Sequence, residues 1–318
     1  MKHIFAFVLI FASLFASAQP DDMQRMADSL DALNKPAHEF TSATFKGTSL
    51  INFPTVETVG IHGLDFRIAH RFGEFYNKNS GTSAAYNAFG LDGGACIRLS
   101  FDYGITKWLQ VGIGRTSQDK LADGSVKIRA LRQTTDNKMP VSLTIQTGLN
   151  YTFMHDPNKS STGIDKYHYP VDRMSYGTAI VLGRKFSERF SIEFNGFYVH
   201  YNIVDHATDK NDIFAAGISG RYKVTKRMAI TFEYAYTSPD FYSPIGSTNY
   251  GKYHNPFGIG IDMETGGHVF QLHFTNQFGM NEAQYIPYTS SDFFKGGIRL
   301  GFNISRVFAI GHHDPNSW

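Results

Sequence analysis

Residues 141–153 read Val-Ser-Leu-Thr-Ile-Gln-Thr-Gly-Leu-Asn-Tyr-Thr-Phe. Val141, Leu143, Ile145, Leu149, Tyr151 and Phe153 fall on one face of an extended chain; Ser142, Thr144, Gln146, Gly148, Asn150 and Thr152 fall on the other. A period of two held over about ten residues is the pattern of a strand that shows lipid one face and a polar interior the other. The apolar face ends in Tyr and Phe, as a girdle at a membrane interface would.

Working outward, the same alternation recurs. Leu64, Phe66 and Ile68 alternate with Asp65, Arg67 and Ala69; Ile97, Leu99, Phe101 and Tyr103 with Arg98, Ser100 and Asp102. Later come Ile230 to Tyr236, Phe257 to Met263, Phe270 to Phe274, and Ile298 to Ile304. These segments predict about twelve strands, near 61–72, 94–105, 109–117, 124–134, 139–154, 174–187, 190–202, 212–225, 228–238, 251–264, 268–279 and 294–310. Connection length alternates with parity. The odd connections, such as 73–93, 155–173, 239–250 and 280–293, are mostly long, and the even ones, such as Thr106-Lys107-Trp108 and Lys226-Arg227, are tight. Short periplasmic turns alternating with longer outer loops belong to outer-membrane barrels, and this parity places both termini in the periplasm. The expected fold is all-β: an antiparallel transmembrane β-barrel of about twelve strands over residues 44–318, with a short N-terminal helix before it.

The start of the chain is read as an export signal over residues 1–18. Lys2 is followed by an apolar run from Ile4 to Phe15 and by Ala16-Ser17-Ala18, an A-x-A cleavage site. The run is too short to span a bilayer as a helix, and no apolar run of about 18 residues follows it. In residues 19–43, Met23, Met26, Leu30 and Leu33 recur at helical spacing, which predicts a short amphipathic periplasmic helix ending near Pro36. The stretch from Phe45 to Thr58 is either an extra strand or an inward-tucked lead into the first strand; Pro54 argues against a central strand.

Composition agrees. Aromatics make up 15% of residues while mean hydropathy is only -0.26, which suits apolar side chains confined to one face. The net charge of +2 argues against a nucleic-acid partner. Cys96 is the single cysteine, so no intramolecular disulfide is possible; it reads as a small buried or lipid-facing hydrophobe.

Phe45 to Thr58, LDFRIAHRFG at 64–73, LDG at 91–93, IRLSFDYGIT at 97–106, VGIGRTS at 111–117 and GIRLGFNISRVF at 297–308 together resemble a family of membrane-bound β-barrel domains of unknown function in Gram-negative bacteria. The resemblance covers nearly all of the mature chain. It implies the barrel and its outer-membrane location, and no activity.

Alternation places Asp65, Arg67, Arg71, Arg98, Asp102, Lys127, Arg129, Glu193, Arg221, Lys223, Glu233, Asp262, Glu264 and Arg299 in the lumen. The basic members cluster on the last strand and the first few, the acidic ones on the strands near 190–202, 228–238 and 251–264. Closure would set basic and acidic walls opposite each other, with a transverse field between them. Two readings follow: the charges line an aqueous constriction for small polar solutes, or they pair across a narrow bore and plug it.

Other chemistry finds less support. His155, Asp156 and His168 in one loop and His312 and His313 in the tail show no zinc spacing, so no metal or cofactor is expected. His70, His200 and His206 lie near strand ends without the serine a lipid hydrolase would need beside them, so no enzyme is expected. The loops 73–93, 155–173 and 280–293 are rich in Tyr, Asn, Ser and Gly, a composition for ligand contact or plain surface. The function expected first is a porin-like narrow channel for small polar solutes, and next a non-conducting structural or ligand-binding barrel. The partners expected are outer-membrane lipid and lipopolysaccharide, and the barrel-assembly machinery during insertion.

Overall fold

The computed structural model describes residues 39–75, 85–86, 88–156, 166–204, 209–238 and 253–310. Twelve antiparallel strands close on themselves: β1 Gly63–Glu74, β2 Cys96–Gly104, β3 Leu109–Thr116, β4 Leu121–Leu131, β5 Ser142–Thr152, β6 Met174–Lys185, β7 Phe190–Tyr201, β8 Asp212–Lys223, β9 Met228–Thr237, β10 Phe257–Thr265, β11 His268–Thr275 and β12 Arg299–Ala309. Each strand pairs with its sequence neighbours, and β1 pairs with β12 from Gly63↔Ala309 to Glu74↔Arg299. Closure leaves no edge, so every strand finds a ladder partner on both sides. The even strand count brings the two ends of the barrel segment to the end that carries the short turns.

The outward face is apolar. Ile97, Leu99, Ile113, Ile145, Ile180, Phe194, Phe214, Ile259 and Leu272 all lie exposed on it. No helix of the described residues is long and apolar enough to cross a membrane, and the crossing elements are strands of 8 to 12 residues. That length matches a tilted transmembrane strand.

Four of the boundaries that differ from the sequence expectation bear on the bore. β4 begins at Leu121, because residues expected in a loop join the ladder with β3 and β5. β10 begins at Phe257 rather than near residue 251. β11 stops at Thr275 and β12 starts at Arg299, so the chain between them is longer than the expected 280–293. That segment is not a surface loop. It turns into the bore, and Met280, Ala283, Gln284, Tyr285 and Ile286 are buried there around a short helix, α1, Glu282–Tyr285. Asn281 caps the helix by accepting from the Ala283 N–H at 2.9 Å.

The lead segment enters the same bore from the short-turn end. Leu50 N–H donates to the Phe53 carbonyl at 2.9 Å and Thr55 N–H to the Thr48 carbonyl at 3.0 Å, folding residues 48–55 into a tight loop. Of the two alternatives for Phe45 to Thr58, the inward-tucked lead is the one observed. Pro54 joins only an isolated bridge to Ser49, where its missing N–H costs nothing. Phe53 (0% exposed) meets Tyr285 with stacked rings 5.5 Å apart and Phe197 edge-on at 5.0 Å. The two inserted segments therefore touch mid-barrel.

The helix expected over 19–36 and the export signal over 1–18 lie outside the described residues, as do His206, His312 and His313. Residues 39–41, the described end of the leader, run extended along the β4–β5 turn: Thr41 N–H donates to the Gln133 carbonyl at 2.8 Å and Thr135 N–H to the Glu39 carbonyl at 2.9 Å. Cys96 is buried beside Ala69 and Met280.

Phe53→Ala removes the ring that joins both inserted segments to the wall. A large-to-small change at such a site costs about 3–5 kcal/mol. The expected outcome is a barrel that loses its heat-modifiable gel migration at clearly lower denaturant than the unaltered chain.

Candidate functional site

The inward face differs around the barrel. On β6 to β9 it is apolar in its central reach: Ala179, Val181, Phe197, Val199, Ile213, Ala215 and Ala235 pack with Phe45, Leu50, Phe53 and Val56 of the lead segment and with Ala283, Tyr285 and Ile286 of the inserted loop. On β1 to β5 it is polar or small, with Asp65, Arg67, Arg98, Ser100, Asp102, Asp123, Ser125, Gln146 and Gly148. The inserted segments lean on the apolar wall. Between them and the polar wall runs a seam with about 70 Å³ of free space, bounded by Asn52, Arg67, Arg98, Asp102, Asp123 and Glu282 among others. By volume that is room for roughly five waters. A cavity of about 500 Å³ opens at the short-turn end beside Lys46, Glu57 and Asp65. Another, of about 410 Å³, opens at the loop end beside Asp119, Tyr167, Arg173 and Tyr288.

Of the fourteen charged residues expected in the lumen, Asp65, Arg71, Lys127, Glu193, Arg221, Glu233 and Asp262 are buried and the other seven are half-buried. They do not form two opposed fields. Asp65 sits 3.4 Å from Arg67 on the same strand. Arg98 holds Asp123 of β4 with both of its terminal nitrogens. Arg129 pairs with Glu57 at 3.3 Å, Arg221 with Glu264 at 3.4 Å, and Arg299 with Glu74 at 3.0 Å. Lys46 of the lead segment reaches Glu264 at 2.8 Å. Asp102 lines the seam, Asp262 accepts from Gln271 at 3.2 Å, and Lys223 lies half-buried at the end of β8. Acids on the basic wall and bases on the acidic wall thus neutralise each other locally.

The remaining charges answer the backbone of the lead segment. One carboxylate oxygen of Glu233 accepts the N–H groups of Asn52 and Phe53 at 2.9 and 3.0 Å, and the other accepts from Gln277 at 2.9 Å. Glu193 accepts from Val56 N–H at 3.3 Å. Arg71, fully buried, donates to the Ile51 carbonyl at 3.2 Å and to Asn52 Oδ1 at 2.7 Å. Lys127 donates to the Thr48 carbonyl at 2.8 Å. Neutral wall residues supply further bonds, with Asn303 on Ile51, Thr144 on Val56, Asn195 on Pro54, and Gln110 accepting from Val59.

Two glycines shape the seam. A Cβ on Gly112 would stand 2.2 Å from Asp102 Oδ1, and one on Gly114 would stand 2.4 Å from Arg98 Nη2. Their absence lets both charges lie flat along β3 instead of projecting across the bore.

Sequence reasoning does not single out several of the participants: Asp123, Glu57, Lys46, Glu74, Gln277 and Glu282. Asp123 falls in an expected loop. The signal available for the inserted segments is the run of apolar residues on the inward side of β6 to β9, which demands a covering partner. At the loop end, Gln284 donates to Asp119 Oδ2 at 2.9 Å, Gln146 donates to Glu282 Oε1 at 2.7 Å, and the Tyr201 hydroxyl donates to the Ala283 carbonyl. Burial pushes the Glu282 carboxyl above the usual carboxylate range, while its own backbone N–H and the Arg98 guanidinium pull it down less strongly.

The histidines weighed from the sequence are placed as follows. His70 stacks on Phe302 on the outer face, centroids 5.1 Å apart, and His200 pairs with Asp212 at 2.8 Å. His155 and His168 lie in the long connection after β5. Among the described residues, no three His, Cys, Asp or Glu side chains gather as a metal-binding group.

Two outcomes are expected. Glu233→Ala should speed amide exchange at Asn52 and Phe53 by about two orders of magnitude or more, given about 1.5–3 kcal/mol per charge-assisted bond; hydrogen–deuterium exchange read by mass spectrometry checks it. The second concerns pH. A folded-state pKa raised above the unfolded value contributes stability that is complete below the ordinary carboxylate range and lost as pH rises through the raised value. Residues 280–287 should therefore open more readily at alkaline than at acidic pH, after correction for intrinsic exchange, and Glu282→Gln should flatten that dependence.

Residues 45–308 match the family described as "Membrane bound beta barrel domain (DUF5777)". Among solved structures, the chain is similar to a NanC porin, with 9% identity over 78% of this chain and 100% of that one and a TM-score of 0.45. It is similar to the KdgM porin, with 7% identity, 78% and 99% covered and a TM-score of 0.42. It is also similar to Omp33, an outer membrane protein of Acinetobacter baumannii, with 9% identity, 77% and 97% covered and a TM-score of 0.40. A search of curated proteins found no match. With the family match spanning every strand of the closed barrel, this chain belongs to the membrane-bound β-barrel domain family DUF5777.

Proposed function

We propose that the chain is an outer-membrane, porin-like channel of narrow bore, non-enzymatic, that passes ions and small polar solutes along the seam between its inserted segments and the β1–β5 wall. The observation that carries this reading is the seam itself: its wall is kept polar and small, and Gly112 and Gly114 hold two charges out of the way. A barrel of this size would otherwise be free to fill that wall with bulk, as the smallest barrels do. The cavities at both ends serve as vestibules. In this reading residues 1–18 direct export, the assembly machinery inserts the barrel, the short turns and both termini face the periplasm, and lipid and lipopolysaccharide cover the apolar face.

A second reading, a non-conducting structural or binding barrel, draws on the Phe53–Phe197–Tyr285 cluster that joins both inserted segments to one wall. Planar-bilayer recording separates the two. The channel reading expects small, stable conductance steps from the mature full-length chain, well below those of an open sixteen-stranded pore. It expects Arg67→Glu with Arg98→Glu to move the reversal potential in a salt gradient toward cation preference. A barrel that is silent, yet folded by its heat-modifiable migration, overturns the channel in favour of the second reading; steps whose selectivity ignores both substitutions remove the seam as the path.

A further inference from the structure

On the outer surface at the short-turn end, a cleft of about 660 Å³ lies between the β2–β3 turn and the β4–β5 turn. Its walls are apolar: Trp108 and Phe40 are each about half exposed (52% and 53%), and Leu131 and Met139 complete the lining. The strap at residues 39–41, held to 133–135 by backbone hydrogen bonds, gives the cleft its second wall and carries Phe40. An exposed Trp at a strand end is what a membrane–water boundary selects, because its ring is apolar and its N–H wants water.

The rim is cationic. Lys107, Arg132 and Lys138 stand around the cleft. Arg132 lies over the Phe40 ring at 5.2 Å, and among the described residues neither Arg132 nor Lys107 has a carboxylate within ion-pair distance. Lys138 meets Asp136 only at 3.7 Å, and Asp136 is itself engaged by the Thr134 hydroxyl at 2.6 Å and the Lys138 N–H at 3.1 Å. Arg129 also lines the cleft, but its guanidinium is already paired with Glu57.

We propose that this cleft is a binding site for one anionic phospholipid, with an acyl chain against Trp108 and Leu131 and the phosphate among Lys107, Arg132 and Lys138. An apolar slot with cations at its water side, two of them without a carboxylate partner among the described residues, fits an amphiphile with a negative head; a soluble anion would leave the slot empty, and a neutral lipid would leave Lys107 and Arg132 unanswered. The site is independent of whether the barrel conducts.

The test uses the mature full-length chain in dodecyl maltoside, titrated with phosphatidylglycerol and read by native mass spectrometry. The proposal expects one saturable adduct per barrel, and phosphatidylcholine bound about ten-fold or more weaker. Lys107→Glu with Arg132→Glu and Lys138→Glu should weaken the adduct by about ten-fold or more, and Trp108→Ala should weaken it while leaving the rim charges in place. Arg189→Glu with Lys226→Glu and Arg227→Glu, on other short turns, should leave it unchanged. Heat-modifiable migration shows that each variant is folded; should charge reversal prevent folding, the corresponding glutamine variants carry the same expectation. Equal binding of the two lipids, loss in the control variant, persistence in the rim variant, or competition by glycerol phosphate at lipid-like concentration would each overturn it. So would a full-length chain that takes up no lipid, the outcome if its own leader fills the cleft.

Discussion

Glu233 accepts two consecutive backbone N–H groups from a segment that enters one end of the barrel and a side-chain N–H from a loop that enters the other. That carboxylate answers the hardest demand in the fold. Irregular backbone at membrane depth is tolerated only where protein or water satisfies its polar groups. Residues 48–56 make only two hydrogen bonds of their own within a tight loop, so their other N–H and C=O groups need partners on the wall. Glu193, Arg71, Lys127, Asn195, Thr144 and Asn303 supply them. The charged lumen is thus first a receptor for a piece of its own chain.

The apolar half of the bore follows from the same requirement. A segment whose backbone is held by side chains still has side chains of its own, and Leu50, Phe53 and Val56 are apolar. They have to be covered, and β6 to β9 turn Ala179, Val181, Phe197, Val199 and Ile213 inward to do so. With the apolar side chains of both inserted segments drawn to that side, the β1–β5 wall meets them chiefly through polar contacts, such as Arg71 on Asn52, Lys127 on Thr48 and Gln146 on Glu282. The seam is the space between a wall that covers apolar side chains and a wall that bonds to polar ones.

The strands were legible because their pattern is local. Alternation at Leu64 to Ala69 or Val141 to Phe153 records which side faces lipid, whatever occupies the lumen. The inserted loop was not legible, because residues 276–291 are surrounded on nearly all sides and such burial erases any period. Its Tyr, Asn and Ser resemble surface composition, and its Glu and Gln find partners in the bore: Gln284 donates to the Gln118 carbonyl and to Asp119, and Glu282 accepts from Gln146. β6 alternates poorly for a related reason: Ala179 and Val181 are apolar inward while Ile180 and Leu182 are apolar outward. An apolar residue on a lumen face was the one mark the inserted segments left in the strand sequences. For the charges, alternation could not name partners, since Arg98–Asp123 and Arg299–Glu74 depend on cross-strand register and on where the strands end.

Those partners change what the lumen can do. Opposed basic and acidic walls would act on a solute across the whole bore. Charges paired within about 4 Å present little net field beyond their own neighbourhood. The seam, a space of about 70 Å³, is bounded at contact range by Arg67, Arg98, Asp102 and the amides of Gln146 and Asn150. The glycines at 112 and 114 matter to its shape, because they fix how far Asp102 and Arg98 stand from the wall. The seam is therefore shaped by backbone positions on β3 as much as by the charges themselves, and a side chain as small as a methyl group at either glycine would displace a charge from the wall.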